Sequence, residues 1–575
     1  MPDISYSLPA RPAKLSKVEA IKEESRQLRG AIAETLGDSA ADKFEESEVQ
    51  LLKTHGIYQQ FDRDTATERK QAGLEKEHQF MARVRIPAGR LTADQYLKLD
   101  GFADDYANGT LRITTRQTFQ FHGVLKGDLH ELIHAISGEL LTTMAACGDV
   151  VRNVTATPAP IRDEVHATLD RTAALLSSVL LPRTTAYHDI WVDGEKVTGD
   201  AVEEPLYGAT YLPRKFKIGL ATPDDNSIDL FTNDLGVIAH FDGQRLEGWT
   251  LAVGGGLGMT HNKPKTYPRL ATPLLFVEPD GLLPAVEAVI KVQRDHGDRA
   301  DRKHARLKYL LDEMGLPWFK ARVEEHAGRT YDPPRPLPRF RIVDHLGWHT
   351  QGDGKWYLGV PVPSGRVADI GDSRIRAALR TIVETHQPSI VLTPAQDILL
   401  ADIAEDAKEA VEKILRDHGV TLAGDLSPLE RWALACPALP TCGLALTEAE
   451  RVRQPLVAGI LERLTAYGLE RETISLRITG CPNGCARPYA GDIGLVGRMP
   501  GYYALYVGGD FEGTRLNFRL LDKVGESEVP TVLDPLFKAF SAERQGPEGF
   551  GDWCGRMGPA HLAALIDETM PAVSI

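Results

Sequence analysis

The sequence predicts an internally duplicated α+β fold, and three observations carry that expectation. Strand-like and helix-like patterns mix along the chain without a regular β-α-β alternation. Two pairs of segments recur in the same order about 260–275 residues apart, too long a period for a solenoid and suited to two pseudo-equivalent halves. No nucleotide-binding fingerprint interrupts the pattern. Gly254-Gly255-Gly256-Leu257-Gly258 lacks the third glycine of a dinucleotide loop, and there is no P-loop.

The chain has 575 residues, 66 Lys plus Arg against 80 Asp plus Glu, and a formal net charge of −14. Apolar residues make up 42% and charged residues 25%, the balance of an ordinary globular protein, which excludes a disordered or collagen-like chain. At about 150 residues per domain the length allows roughly four units. The acidic balance argues against nucleic-acid partners. No apolar run is long enough for a membrane helix, and the charged start lacks the apolar stretch of a secretory signal. A cytoplasmic location is expected.

Residues 1–75 read as a charged arm with amphipathic helical stretches such as Ala40–Thr54, either solvated or partner-binding. Arg83-Val84-Arg85-Ile86 alternates like a strand and stops at the turn Pro87-Ala88-Gly89. A helix is expected over 92–107. Leu111 to Val124 then reads as one strand, which places Arg112, Thr114, Arg116, Thr118, Gln120 and His122 on a single face. A core-facing row would be apolar, so this one faces solvent or a polyanionic ligand. Val362-Pro363-Ser364-Gly365-Arg366 echoes Ile86-Pro87-Ala88-Gly89-Arg90, and Val391–Gln396 echoes Arg112–Gln117. Asp234-Leu235-Gly236 and Asp492-Ile493-Gly494 form the second pair. A site between the two halves is expected, because pockets favour domain interfaces.

Four of the six cysteines cluster as Cys436-x5-Cys442 and Cys481-x3-Cys485. Four thiolates are a ligand set for an iron–sulfur cluster or for zinc. The five-residue spacer fits zinc knuckles poorly, and the flanking glycines and prolines suit a wrapped cluster; unligated cysteines are the third reading. Cys147 and Cys554 lie apart and read as buried free thiols. Tyr211–Ile218 reads as a strand with Lys215 and Lys217 on one face. With Arg83, Arg85, Arg112, Arg116 and Arg152 these form an excess of cations in an acidic chain, suited to a polycarboxylate cofactor and an oxyanion substrate.

From about residue 50 to about 560 the chain resembles the siroheme-containing sulfite and nitrite reductases, most closely the assimilatory sulfite reductase hemoprotein. The resemblance rests on Arg116-Gln-Thr-Phe-Gln-Phe-His-Gly123, Leu212-Pro-Arg-Lys-Phe-Lys217, the Gly254–Gly256 run, and the two cysteine motifs. It implies a pseudo-two-fold, three-domain sulfite/nitrite reductase fold with ferredoxin-like half-domains. On that basis 1–75 is an arm for partner docking, 76–150 and 345–425 are the paired half-domains, 151–344 is the first siroheme- and substrate-binding domain, and 426–575 is the cluster domain.

The resemblance further implies a 4Fe–4S cluster on Cys436, Cys442, Cys481 and Cys485, with Cys485 bridging to the siroheme iron as axial ligand. Arg83, Arg152, Lys215 and Lys217 would face sulfite. Arg112, Arg116 and Arg214 would meet siroheme carboxylates, with Thr114, Gln120, His122, Gln396 and Asn483 near the macrocycle. The implied reaction is the six-electron reduction of sulfite to sulfide in sulfate assimilation for cysteine biosynthesis. With no flavin or pyridine-nucleotide motif, electrons would come from another protein. Chain length and the long arm favour a flavoprotein (alpha) subunit that carries FAD and FMN and oxidises NADPH in a hetero-oligomer. The Gly347–Gly354 segment leans towards ferredoxin. Nitrite reduction to ammonia is the enzymatic alternative, and a zinc-stabilised scaffold the non-enzymatic one.

Overall fold

Four five-stranded sheets make two matched pairs in a computed structural model that describes residues 14–184, 191–192, 195–196 and 204–569. In the first sheet, Ile57–Phe61, His78–Arg83, Phe119–Val124 and Leu111–Ile113 are neighbours, and Arg366–Val367 closes the edge. In the second, Gly347–Thr350, Trp356–Val360, Ile398–Ile403 and Ser389–Leu392 follow the same order, and Arg90–Leu91 closes the edge. Each half-domain therefore lends its partner a short strand: Arg366 pairs with Arg112, and Arg90 with Val391. The echoed Pro-x-Gly turns launch these strands, with Ala88 and Ser364 both left-handed at φ 51° and 56°. Gly365 (φ +72°) has no alternative, since a Cβ there would stand 2.2 Å from the Ile113 carbonyl oxygen.

The other two sheets match as well. Thr155–Ala156, Ile218–Ala221 and Leu235–Asp242 run parallel, then Arg245–Val253 and Thr272–Val277 turn antiparallel. Ala433–Ala435, Leu476–Thr479, Ile493–Met499, Tyr502–Val507 and Phe518–Gly525 repeat that arrangement. The echo reaches single hydrogen bonds. The Lys217 N–H donates to Asp234 Oδ2 at 2.9 Å, and the Ser475 N–H donates to Asp492 Oδ2 at 2.9 Å. The expected α+β duplication is the architecture.

Helices cover these sheets. Ala93–Tyr106 matches the expected 92–107 helix and is held by a capping box in which Thr92 and Gln95 exchange side-chain and backbone bonds. One apolar core spans both half-domains, joining Phe80, Phe119 and Phe121 to Leu379, Ile390 and Leu400. Separate cores underlie the other two sheets. Among the described residues no helix is long and apolar enough to cross a membrane.

Several local expectations are corrected. Leu111 to Val124 is a hairpin, not one strand, turning over 114–118 with Gln117 at φ 53°. Arg112 pairs with Gln120, so the polar residues still share a face, because directly opposed residues in a ladder point the same way. The first strand ends at Arg83, with Arg85 in a lone bridge to Thr142. Residues 211–217 are largely irregular, with one bridge from Phe216 to Val151, and the strand starts at Ile218. The helix expected within 40–54 covers Glu46–Leu52. Ile57–Phe61, placed in the arm, is a strand of the first sheet. Residues 1–13 of the arm lie outside the described residues.

Candidate active site

The cysteines come from the ends of two adjacent parallel strands. Cys436 follows Ala433–Ala435, Cys481 lies just beyond Leu476–Thr479, and Ala435 pairs with Ile478. Parallel neighbours end on the same side, which brings both loops together. The Gly480 N–H donates to Cys436 Sγ at 3.3 Å, and the Cys442 N–H to the Ala438 carbonyl at 2.8 Å. Burial pushes the Cys436 thiol well above its ordinary range, and Cys485, Cys481 and Cys442 push it further. Burial and then Cys485 push Cys481 up to about 12. Four mutually repelling sulfurs become thiolates only around a compensating positive core. Cys485 is the exposed member, and its carbonyl accepts from Thr115 Oγ1 at 3.1 Å. The hairpin tip thus reaches the cysteine loop.

The polar face of that hairpin carries unmet hydrogen-bonding capacity. His122 is 1% exposed, yet neither ring nitrogen has a partner. Burial first, then Arg366, Arg112 and Arg83, hold its pKa well below the ordinary value, so the ring is neutral, with one donor and one acceptor unused. Gln396 Oε1, Arg83 Nε and Arg116 Nε are likewise buried without partners, while Gln396 Nε2 donates to the Ser364 carbonyl at 3.3 Å. Natural proteins rarely leave such groups orphaned; a ligand with several carboxylates would accept from the Arg83, Arg116 and His122 N–H groups. Gln120 contacts Met81 Sδ at 3.3 Å, and Thr114 Oγ1 meets Thr118 Oγ1 at 2.7 Å. Asn483 stands in the cysteine loop, where its backbone and side chain bond Cys481.

Two of the arginines are already engaged. Arg112 is fully buried, paired with Glu450, and donates to the Ala435 carbonyl at 2.9 Å, beside the cluster strand. Arg116 donates to Asn233 Oδ1 at 2.6 Å, Thr155 Oγ1 at 3.2 Å, and the Asn153 and Ile218 carbonyls, leaving Nε. Burial and then Arg152 push it down to about 9. Arg214 is pushed down to about 10 by burial and then Arg302.

The remaining cations converge. The Arg152 N–H donates to the Phe216 carbonyl at 2.9 Å and the Phe216 N–H to the Val150 carbonyl at 3.1 Å, so the segments carrying Arg152 and the two lysines lie side by side. Burial first, then Arg152, Arg306 and Lys217, force the Lys215 pKa far below its ordinary value. Burial and then Arg306 and Arg116 push Lys217 down to about 7. Neither side-chain ammonium has a hydrogen-bond or ion-pair partner among the described residues. Arg83 pairs with Gln120 across the sheet, bringing it to the same region.

Several functional neighbours escaped the sequence reading. Asp234 takes a forked pair from Arg306 (2.9 and 3.0 Å) while holding the Lys217 backbone. Its place in the echoed Asp-Leu-Gly motif was a usable signal. Lys308 donates to the Gly256 and Gly258 carbonyls at 2.9 and 3.0 Å, bracing the glycine run, which touches the cysteine loop through Met259 N–H to the Pro482 carbonyl at 2.9 Å. Tyr58 accepts from Arg152 at 3.5 Å, with Cys147 nearby, and neither position shows a local pattern.

This fold and thiol quartet define an iron–sulfur oxidoreductase built on a duplicated scaffold. The chain belongs to the nitrite and sulphite reductase family: the 4Fe-4S domain of that family matches residues 171–331 and 431–573, and its ferredoxin-like half domain matches 73–137 and 349–418. It is similar to a sulfite reductase (ferredoxin) of Synechococcus elongatus, 47% identical over 96% of this chain and 90% of the relative. It is also similar to a sulfite reductase (NADPH) hemoprotein beta-component of Myxococcus xanthus, 46% identical over 95% of this chain and 97% of the relative. Among solved structures, the Mycobacterium tuberculosis NirA protein superposes with a TM-score of 0.78 at 25% identity, covering 96% of this chain and 98% of that one.

Proposed function

We propose that this chain reduces sulfite to sulfide as the hemoprotein component of an assimilatory sulfite reductase, with siroheme and a 4Fe–4S cluster as cofactors. The carrying observation is the convergence of Lys215, Lys217 and Arg152, with Arg83 acting on the same Arg116 and Tyr58 as Arg152, and the two lysines without a carboxylate partner among the described residues. Cys436, Cys442, Cys481 and Cys485 would hold the cluster, and Cys485, the exposed member of the four, would be the thiol open to both cofactors. His122, Gln396, Asn483, Gln120, Thr114, Arg214, Arg112 and the unpartnered Nε of Arg116 would hold siroheme's carboxylates and macrocycle. When bound, siroheme and the cluster would supply the six reducing electrons.

The protein's own part is charge and protons. Sulfite brings about two negative charges, which Arg83 and Arg152 attract and which favour the protonated form of Lys215 and Lys217, in a buried site where the attraction is little screened. Reduction to sulfide and three waters consumes seven protons with the six electrons. A lysine with a pKa near 7 exchanges protons readily at neutral pH. Arg83 and Arg152 stay charged and orient the oxygens.

Electrons come from a separate NADPH-oxidising flavoprotein subunit in a hetero-oligomer, a reading supported by the Myxococcus xanthus relative, which is named an NADPH sulfite reductase hemoprotein beta-component. The Synechococcus elongatus relative supports ferredoxin as the second reading. Six cysteines with no disulfide among them suit the reducing cytoplasm. The test is sulfite and nitrite turnover side by side with a small artificial reductant. A higher kcat/KM for sulfite is expected; a clear preference for nitrite would overturn the substrate assignment.

A further inference from the structure

The helix Lys17–Glu24 comes from the segment expected to be a charged arm, yet two of its charged side chains point inwards. Glu19 is 2% exposed and Lys22 4%. We propose that this helix is an internal clamp on the substrate cations, with Lys22 and Glu19 as positioning residues for sulfite binding. The inference rests on the reading that Lys215 and Lys217 meet the substrate.

Lys22 Nζ donates to the Leu212 carbonyl at 2.9 Å, at the head of the irregular segment that carries both lysines. The same ammonium lies 2.5 Å from Glu19 Oε1 and 3.7 Å from Asp149 Oδ2. Asp149 belongs to the segment that carries Arg152, and its carbonyl accepts the Leu212 N–H at 3.0 Å. Glu19 in turn pairs with Arg299, whose other nitrogen donates to the Tyr211 carbonyl at 2.7 Å. Arg302 forks onto Asp149 at 2.7 and 3.0 Å. The segment 211–217 has almost no ladder bonds of its own, so this network holds it in place.

Burying an ammonium and a carboxylate is costly, and an apolar anchor would fix a helix more cheaply. Ile21 on the same helix already packs on the core. The charges are therefore placed where they serve neighbouring segments, not the helix.

The test uses the full-length holoprotein. Sulfite affinity is read by titrating the visible spectrum of the oxidised enzyme, and carbon monoxide affinity of the reduced enzyme is the uncharged control. Lys22→Met is expected to weaken sulfite about tenfold and raise its KM to match, with kcat, siroheme content and carbon monoxide affinity nearly unchanged. Should Lys22→Met not accumulate, Glu19→Gln carries the same expectation at about threefold. Unchanged sulfite affinity would overturn the clamp, and so would an equal loss for sulfite and carbon monoxide, which marks general loosening. Lys217→Met is measured in parallel. If it leaves sulfite binding intact, the assignment of the lysines to substrate is what fails. If it weakens sulfite while Lys22→Met does not, only the clamp fails.

Discussion

Lys217 joins the two halves of the site's chemistry: its backbone is fixed by Asp234, and its ammonium, lowered to about 7, sits among Arg306, Arg116 and Arg152. The ammonium form prevails below about pH 7 and is lost above it. Because kcat/KM reports groups of the free enzyme, kcat/KM for sulfite is expected to fall as pH rises through about 7. In Lys217→Met that limb should vanish, with turnover down about 10²–10³-fold and the cofactors still bound, the magnitude typical of losing one electrostatic contact to a developing charge. An unchanged pH profile and turnover would return Lys217 to a structural role. Cys485→Ser makes the complementary prediction. On the proposed role of its sulfur in both centres, iron content and visible absorbance should both fall; full absorbance with full turnover would contradict that role. These residues were legible because their chemistry lies in local motifs. Asp234 and Arg306 form a pair across 72 positions, and nothing local in Arg306 announces its partner.

At the scale of elements, legibility followed local signals. The helix Ala93–Tyr106 was readable because Thr92 and Gln95 spell its start. The hairpin over 111–124 was misread because its turn contains no glycine, proline or asparagine. Gln117 takes the left-handed conformation, and the polar alternation keeps its phase through the turn. The segment 211–217 alternates like a strand but is held by side chains from 22, 299 and 302, beyond any local window. The Pro-x-Gly turns were legible as an echo, though their purpose, launching an exchanged strand, was not. Their glycines give a stability prediction. At Gly365 a Cβ meets backbone at 2.2 Å, whereas at Gly371 (φ +58°) it meets nothing within 4 Å. Gly371→Ala should cost about 1 kcal/mol from backbone strain alone, and Gly365→Ala about 3 kcal/mol or more, since strain and steric overlap add. The difference would appear as a lower denaturant midpoint for Gly365→Ala. Equal midpoints would mean that the exchanged strand tolerates displacement.

At the scale of the whole molecule, two weak echoes about 260–275 residues apart were enough to expect two halves, but not how they interlock. The first half-domain closes its sheet with Arg366–Val367, the second with Arg90–Leu91, and one core runs through both. The candidate site draws on Arg83 and His122 from one half-domain, Gln396 from the other, and cysteines from a third unit. Large multidomain chains commonly unfold in stages. Here neither half-domain can leave without stripping an edge strand and half a core from its partner. Urea unfolding of the holoprotein should therefore lose the secondary-structure signal of the half-domains and the visible absorbance of the bound cofactors in one coincident transition. With the other five of the seven tryptophans replaced by phenylalanine, Trp348 and Trp356 of the second half-domain supply a fluorescence probe that should move at the same midpoint. If the tryptophan signal changed while absorbance persisted, the second half-domain would be separable, and the strand exchange would be a surface feature with no part in holding the site together.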